Sequence, residues 1–156
     1  SSLELSPDGA SLATGMTNGN SEGDVSLWDL PTGELRCKVP GHSAQYTDAG
    51  ATIVVADLQN ASLGFYDSAT CKTRRTIQGL GAPFALSDGF GLIASWSARQ
   101  VSIWDLVSGE KLSSTPWTID GDVDVLQFGP DGSLLLAIGV GRGPKPATIT
   151  LWRVER

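Results

Sequence analysis

The chain has 156 residues, 40% apolar and 18% charged, with a formal net charge of −6 and a pI near 4.6. That length suits one globular domain, and the acidic balance argues against a phosphate-backbone partner, which needs a basic surface to release counterions. No apolar run approaches the roughly 18 residues that span a bilayer and no charged-then-apolar leader opens the sequence, so neither nucleic acid nor membrane is expected as a partner.

Nineteen glycines and eight prolines favour many short strands over a few long helices. Taken in chain order, the segments repeat. An opening "SSLEL" leads to an Asp-Gly turn, "SPDG", then a short strand "SLATG", the loop "NGNSEGD", and the strand "DVSLWDL", which ends at Trp28-Asp29. A "PTG" turn and a more polar strand, "ELRCKV", follow. After Gly41-His42 the order recurs with "TDAG", "TIVVAD", Tyr66-Asp67 and "KTRRTI". It recurs again with "SDG", "GLIASWS", Trp104-Asp105 and "EKL", and a fourth time with "GPDG", "SLLLAIG" and Trp152-Arg153. The turn aspartates Asp8, Asp48, Asp88 and Asp131 are 40, 40 and 43 residues apart, and the aromatics are 38, 38 and 48 apart. Two independent markers keeping step at a period near forty define an internal repeat. Each unit reads as four antiparallel strands, and the near-continuous apolar middle strands imply burial on both faces.

This pattern resembles the WD-repeat (WD40) β-propeller family, whose blades are four-stranded sheets of about 40 to 45 residues with a Gly-His near the start and a Trp-Asp near the end. The resemblance spans essentially the whole chain and is best in the first and third units. It implies an all-β fold of about four blades, near residues 1–39, 40–79, 80–115 and 116–156. It also makes Trp28, Asp29, Tyr66, Asp67, Trp104, Asp105 and Trp152 structural repeat positions, with Trp28, Trp104 and Trp152 expected in the core between blades. In the family the His commonly joins a hydrogen-bond chain with an Asp. The position for that Asp, six before the aromatic, holds Glu22, Asn60, Ala98 and Pro146, so the full network is not expected; Asn60 is the candidate replacement opposite His42.

Residues that could carry chemistry are few. His42 is the sole histidine, with no nucleophile elbow beside it, and a structural role is expected. "DGDVDV", Asp120 to Val125, alternates carboxylates, but Val125 stands where a calcium loop needs Gly, so an inner strand with one polar face is expected. "NGNSEGD", Asn18 to Asp24, is nearer a calcium loop yet has Asp29 where the bidentate Glu belongs; a hairpin loop accounts for it. "GVGRGPKP", Gly139 to Pro146, has glycines and a lysine without the helix a phosphate loop opens, and reads as a loop insertion. No metal site, catalytic residue or cofactor is expected. Cys37 and Cys71 lack metal-ligand spacing and are too few for a disulfide framework, so they are expected to be free thiols in a reducing, cytoplasmic setting.

The expected function is therefore a non-catalytic protein–protein interaction platform. By analogy with the family, one loop face would carry the partner contacts: His42, Ser43, Gln45, Asn20, Glu22, Arg99, Gln100, Trp117, Arg142 and Lys145; Trp117 would be an aromatic anchor if exposed, burial being the favoured reading for it and for Trp96. The alternative is an enzyme-type propeller, quinoprotein or lactonase-like, with a metal or cofactor over the central channel. Its ligands would come from the inner strands "LEL", "AQY", "APFAL" and "VDVLQF", which offer too few. Because family propellers usually have seven or eight blades, the chain is expected to be part of a larger ring, the missing blades coming from the same or another chain.

Overall fold

A computed structural model describes residues 2–17, 23–117, 122–140 and 147–154. Its regular elements are strands, apart from a single 3-10 turn at Asp48–Gly50. They form four antiparallel sheets, in each of which sequence order equals spatial order. The first sheet is β1 (Ser2–Leu5), β2 (Ser11–Thr17), β3 (Gly23–Asp29) and β4 (Glu34–Pro40). The second is β5 (Ser43–Thr47), β6 (Thr52–Asp57), β7 (Ser62–Asp67) and β8 (Thr73–Gln78). The third is β9 (Phe84–Ser87), β10 (Leu92–Ser97), β11 (Gln100–Asp105) and β12 (Lys111–Pro116). Among the described residues the fourth has three strands, β13 (Asp122–Phe128), β14 (Leu134–Val140) and β15 (Thr148–Arg153). Each is a meander of the kind from which β-propellers are built.

The chain divides into two compact units, Ser1–Leu80 and Gly81–Arg156. In the first, Val25 and Leu27 of β3 pack with Ala44, Tyr46 and Ile53 of the second sheet. In the second, Leu92 and Val101 of the third sheet pack with Leu126, Phe128 and Leu135 of the fourth. The runs "TIVVA" and "LIASW" are buried along their full length, as strands covered on both faces must be.

The repeat aromatic marks a recurrent backbone device. In three sheets the pairing of the third strand with the fourth slips by one residue just before it, between Leu27 and Trp28, Phe65 and Tyr66, and Ile103 and Trp104. The residue left over on the outer strand is Arg36, Arg74 and Leu112 respectively. A bulge of this kind re-aims one side chain. In the first unit it turns Arg36 back onto Asp29 at 2.9 Å and Arg74 onto Asp67 at 2.7 Å. The same carboxylates hold their own turns: Asp29 Oδ1 accepts from the N–H and hydroxyl of Thr32, and Asp67 Oδ1 from those of Thr70. Hydrogen bonds to the charged form lower a carboxyl pKa. Asp67 is held well below the usual carboxylate range, by Arg74 first and Thr70 second, and Asp29 is lowered by Thr32 and then Arg36.

The four residues after the aspartate close a turn whose last position is left-handed: Gly33 at φ 72°, Gly109 at φ 75°, and Cys71 at φ 60°. Glycine is at ease there and cysteine is not. Cys71 is bonded to Cys37, with a Cα–Cα distance of 6.5 Å. The expectation of two free thiols is thus corrected: β4 and the β7–β8 turn are cross-linked, and the pair packs against the core of the first unit.

Candidate functional site

The residues expected on the loop face divide by unit. In the first, the connection from β4 to β5 brings Gly41-His42 against the end of β6. Gly41 has φ 145°, and a side chain there would strike Val55 and the Ala56 carbonyl, so only glycine admits the close approach. His42 N–H donates to the Ala56 carbonyl at 2.8 Å, and its Nδ1 accepts the Leu58 N–H at 3.3 Å. The ring is buried and locks the β6–β7 turn, so it has the structural role expected of it and is not a surface contact for a partner. The aspartate of this turn is Asp57. Burial pushes its carboxyl upward, but donors from Asn60 and Gln59 outweigh that and leave it lowered. Asn60 Nδ2 donates to Asp57 Oδ2 at 2.6 Å, so in this turn it serves the aspartate. Ser43 opens β5, half-buried, and Gln45 lies inside that strand.

In the second unit, Arg99 and Gln100 are exposed at the β10–β11 turn, where Ala98 and Arg99 both have positive φ. The Arg99 carbonyl accepts the Trp117 N–H at 2.8 Å. Trp117 itself is buried, so of the two readings it is the core residue and not an exposed anchor. Its ring stands edge-on to Trp96 and tilted against Trp152, each at 6.0 Å. Its Nε1 has no hydrogen-bond partner among the described residues. Trp117 is thus a wedge in the core, and sequence position could not distinguish that from a loop anchor. Asn20, Glu22, Arg142 and Lys145, with most of "NGNSEGD" and "GVGRGPKP" and the first two residues of "DGDVDV", lie outside the described residues.

A site the sequence did not suggest lies in the second unit. A cavity of about 460 Å³ opens between β11–β12 and β15, lined by Leu92, Val101, Ile103, Leu112, Leu135, Trp152 and Val154, with Asp105 and Arg153 at its polar margin. Every residue of β12 is exposed. The counterpart β4 is partly covered, with Val39 buried and Arg36 and Cys37 half-buried. The fourth sheet has three described strands, so the outer edge of β15 has no neighbour among them beside this cavity. The readable signal was the register: seven residues after Asp29 and Asp67 stand Arg36 and Arg74, but seven after Asp105 stands Leu112. There the bulge turns an apolar side chain into the cavity. Among the described residues, no three His, Cys, Asp or Glu side chains converge to hold a metal. Among the described residues no helix is long and apolar enough to cross a membrane.

No protein-family sequence model matches the chain, and no curated protein matches it. Solved structures do. A chain of the Kuenenia stuttgartiensis hydrazine synthase superposes with a TM-score of 0.81 at 20% identity, over 97% of this chain and 45% of that one. A chain of the mitotic checkpoint complex gives 0.74 at 16% identity, over 97% and 45%. The β-propeller domain of Myceliophteria thermophila Cps50 (Swd1) gives 0.74 at 17% identity, over 99% and 51%. At such identities the likeness is one of fold, and the fold is the β-propeller expected from the repeat. The chain spans about half the length of the structures it matches.

Proposed function

We propose that the chain is a non-catalytic platform that binds a protein partner, and that the partner adds an extended strand to β15 over the cavity beside β12. The observation that carries this is the β15 edge, open among the described residues and lying next to an apolar cavity. An open strand edge offers main-chain donors and acceptors for affinity, and the pocket beside it selects every second side chain of the incoming strand. The occupant is therefore an extended peptide with apolar residues at alternate positions. Matches to a chain of the mitotic checkpoint complex and to a propeller domain support a partner-binding role through fold alone. Arg99 and Gln100 would contribute from the exposed β10–β11 turn of the same unit.

The test is a library of eight-residue extended peptides screened against the purified protein, with binders then measured on Leu112→Asp. Leu112 is exposed, so the substitution should change stability by no more than about 0.5 kcal/mol. Binding should fall at least tenfold. Binders unaffected by it, or none found, reject this site. The competing reading, an enzyme-type propeller, is supported by the fold match to the hydrazine synthase chain. A stoichiometric metal or cofactor in the purified protein would replace the platform reading.

The cytoplasmic expectation rested on free thiols, and the Cys37–Cys71 bond withdraws that ground. Disulfides persist where thiols are not kept reduced, so we read the working compartment as oxidising. Protein isolated without reductant should show no titratable thiol; two thiols per chain would restore the cytoplasmic reading.

A further inference from the structure

Of the three asparagines in the sequence, Asn60 alone is followed two residues on by a serine or threonine, in the run Asn60-Ala61-Ser62. Asn-X-Ser/Thr, with X other than proline, is the acceptor pattern for N-linked glycans. The pattern is usable where the asparagine reaches solvent in the finished fold and the chain passes through a compartment of the kind that also forms disulfides.

The first unit meets the first condition. Asn60 stands in the β6–β7 turn, where Leu58, Gln59, Asn60 and Ala61 are all exposed. The turn is a fixed display. Asp57 Oδ1 accepts the N–H of Gln59 at 3.0 Å and that of Asn60 at 3.2 Å, and His42 Nδ1 accepts the Leu58 N–H. The Ala61 carbonyl accepts the Gly79 N–H at 2.8 Å. With Ala61 at φ 47°, the chain completes its reversal directly after the asparagine, before Ser62 opens β7. The amide itself tolerates the modification. Asn60 Nδ2 donates to Asp57 Oδ2 at 2.6 Å, and a primary amide nitrogen carries two hydrogens. Linkage to a sugar replaces one of them and leaves the other for this bond.

The second condition is met by the Cys37–Cys71 bond, so the inference rests on the oxidising compartment read from that bond above. We propose that Asn60 is an N-glycosylation site, taking an oligosaccharide from a polyprenyl-diphosphate carrier. The transfer forms a bond between Nδ2 and the anomeric carbon and breaks the bond from that carbon to the carrier phosphate. The carrier leaves as the diphosphate, and one Nδ2 proton goes to a base of the transferase. Ser62 supplies the hydroxyl that the transferase reads, yet in the folded sheet it pairs with Asp57 and Gln78 and is buried. Transfer therefore precedes the pairing of β6 with β7, and the turn then keeps the glycan at the surface beside the exposed Leu58.

Mass spectrometry of the protein isolated from its own cells without reductant, before and after enzymatic release of N-glycans, tests this. The peptide holding Asn60 should carry a hexosamine-linked glycan. Unmodified Asn60 in protein whose Cys37 and Cys71 are bonded overturns the site and leaves the compartment reading standing; unmodified Asn60 together with two free thiols overturns both. In a second arm the chain is secreted from a cell that N-glycosylates. The parent and Ser62→Thr should be modified, and Asn60→Gln and Ser62→Ala should not. An unmodified parent, or modification that survives Asn60→Gln, overturns the assignment; the Asn60→Gln and Ser62→Thr pair decides it if Ser62→Ala is not secreted. Folded, unglycosylated protein offered to the transferase should stay unmodified, and its modification would overturn the order of transfer and pairing.

Discussion

The two units run the same repeat twice and secure their outer strands differently. In the first, both bulges carry arginine, both arginines return to the aspartate seven residues back, and a disulfide ties β4 to the β7–β8 turn. Arg36 also donates to the Ser68 carbonyl at 2.9 Å, from the outer strand of the first sheet to the second. In the second unit the bulge of the third sheet carries Leu112, β12 is exposed along its length, and a cavity takes the place of cover. What remains is a tryptophan cluster of Trp96, Trp117 and Trp152, the last of which also lines the cavity. The contrast teaches that the repeat fixes the inner three strands of a sheet, while the outer strand is fixed by polar and covalent ties that vary from copy to copy. Where the ties are absent, the outer strand is exposed and a cavity lies beside it.

The comparison is broken most sharply at Trp117. If the tryptophan cluster holds the second unit, Trp117→Ala should cost about 3 to 5 kcal/mol in urea unfolding, as large aromatic truncations in cores do. A loss under about 1 kcal/mol would mean that the ring is dispensable and that the second unit is held by something else. The disulfide comes next. Replacing Cys37 and Cys71 together by serine should cost the first unit about 2 to 4 kcal/mol, by releasing the unfolded chain from a 34-residue constraint. The tryptophan near-ultraviolet signal of the second unit reads whether that loss stays local. A finer test concerns the backbone at Cys71. With Cys37→Ser as background, Cys71→Gly should be more stable than Cys71→Ser by about 1 kcal/mol, since φ 60° penalises any side chain. Equal stabilities would show that the turn relaxes once the bond is gone.

The smallest effect is on acid stability. Asp29 and Asp67 have folded-state pKa values below their unfolded value near 3.9. Their contribution is therefore complete above that value and is lost as pH falls through the lower folded ones. Arg74→Met removes the largest cause of the Asp67 shift. It should lower the stability of the first unit slightly at neutral pH, the effect being small because the pair is partly exposed and screened, and this deficit should shrink as the pH falls through the folded-state range. No deficit at neutral pH would assign the shift to Thr70 instead.

The fold was legible because two markers, the turn aspartates and the strand-ending aromatics, kept one period across the chain, and period-two burial then assigned the faces. Trp28, Tyr66, Trp104 and Trp152 are each the next-to-last residue of a third strand, where that period put them, although Trp28, expected in the core, is only half-buried. The site was less legible. His42 and Trp117 read as loop residues by position, but burial is decided by what packs over a connection, and no local pattern reports that. Leu112 was overlooked because a leucine in a polar strand looks unexceptional until its register is compared with Arg36 and Arg74.

The sequence by itself determined the repeat, the strand order, the turn chemistry and the scarcity of titratable groups that could do chemistry, since all of these depend on residues near one another in the chain. Only the tertiary structure decided that Cys37 meets Cys71, that a bulge aims Arg74 at Asp67, and that β12 and β15 leave a cavity between them. These rest on how separate strands are brought side by side, and distances of that kind carry no signature in local sequence until the sheets are stacked.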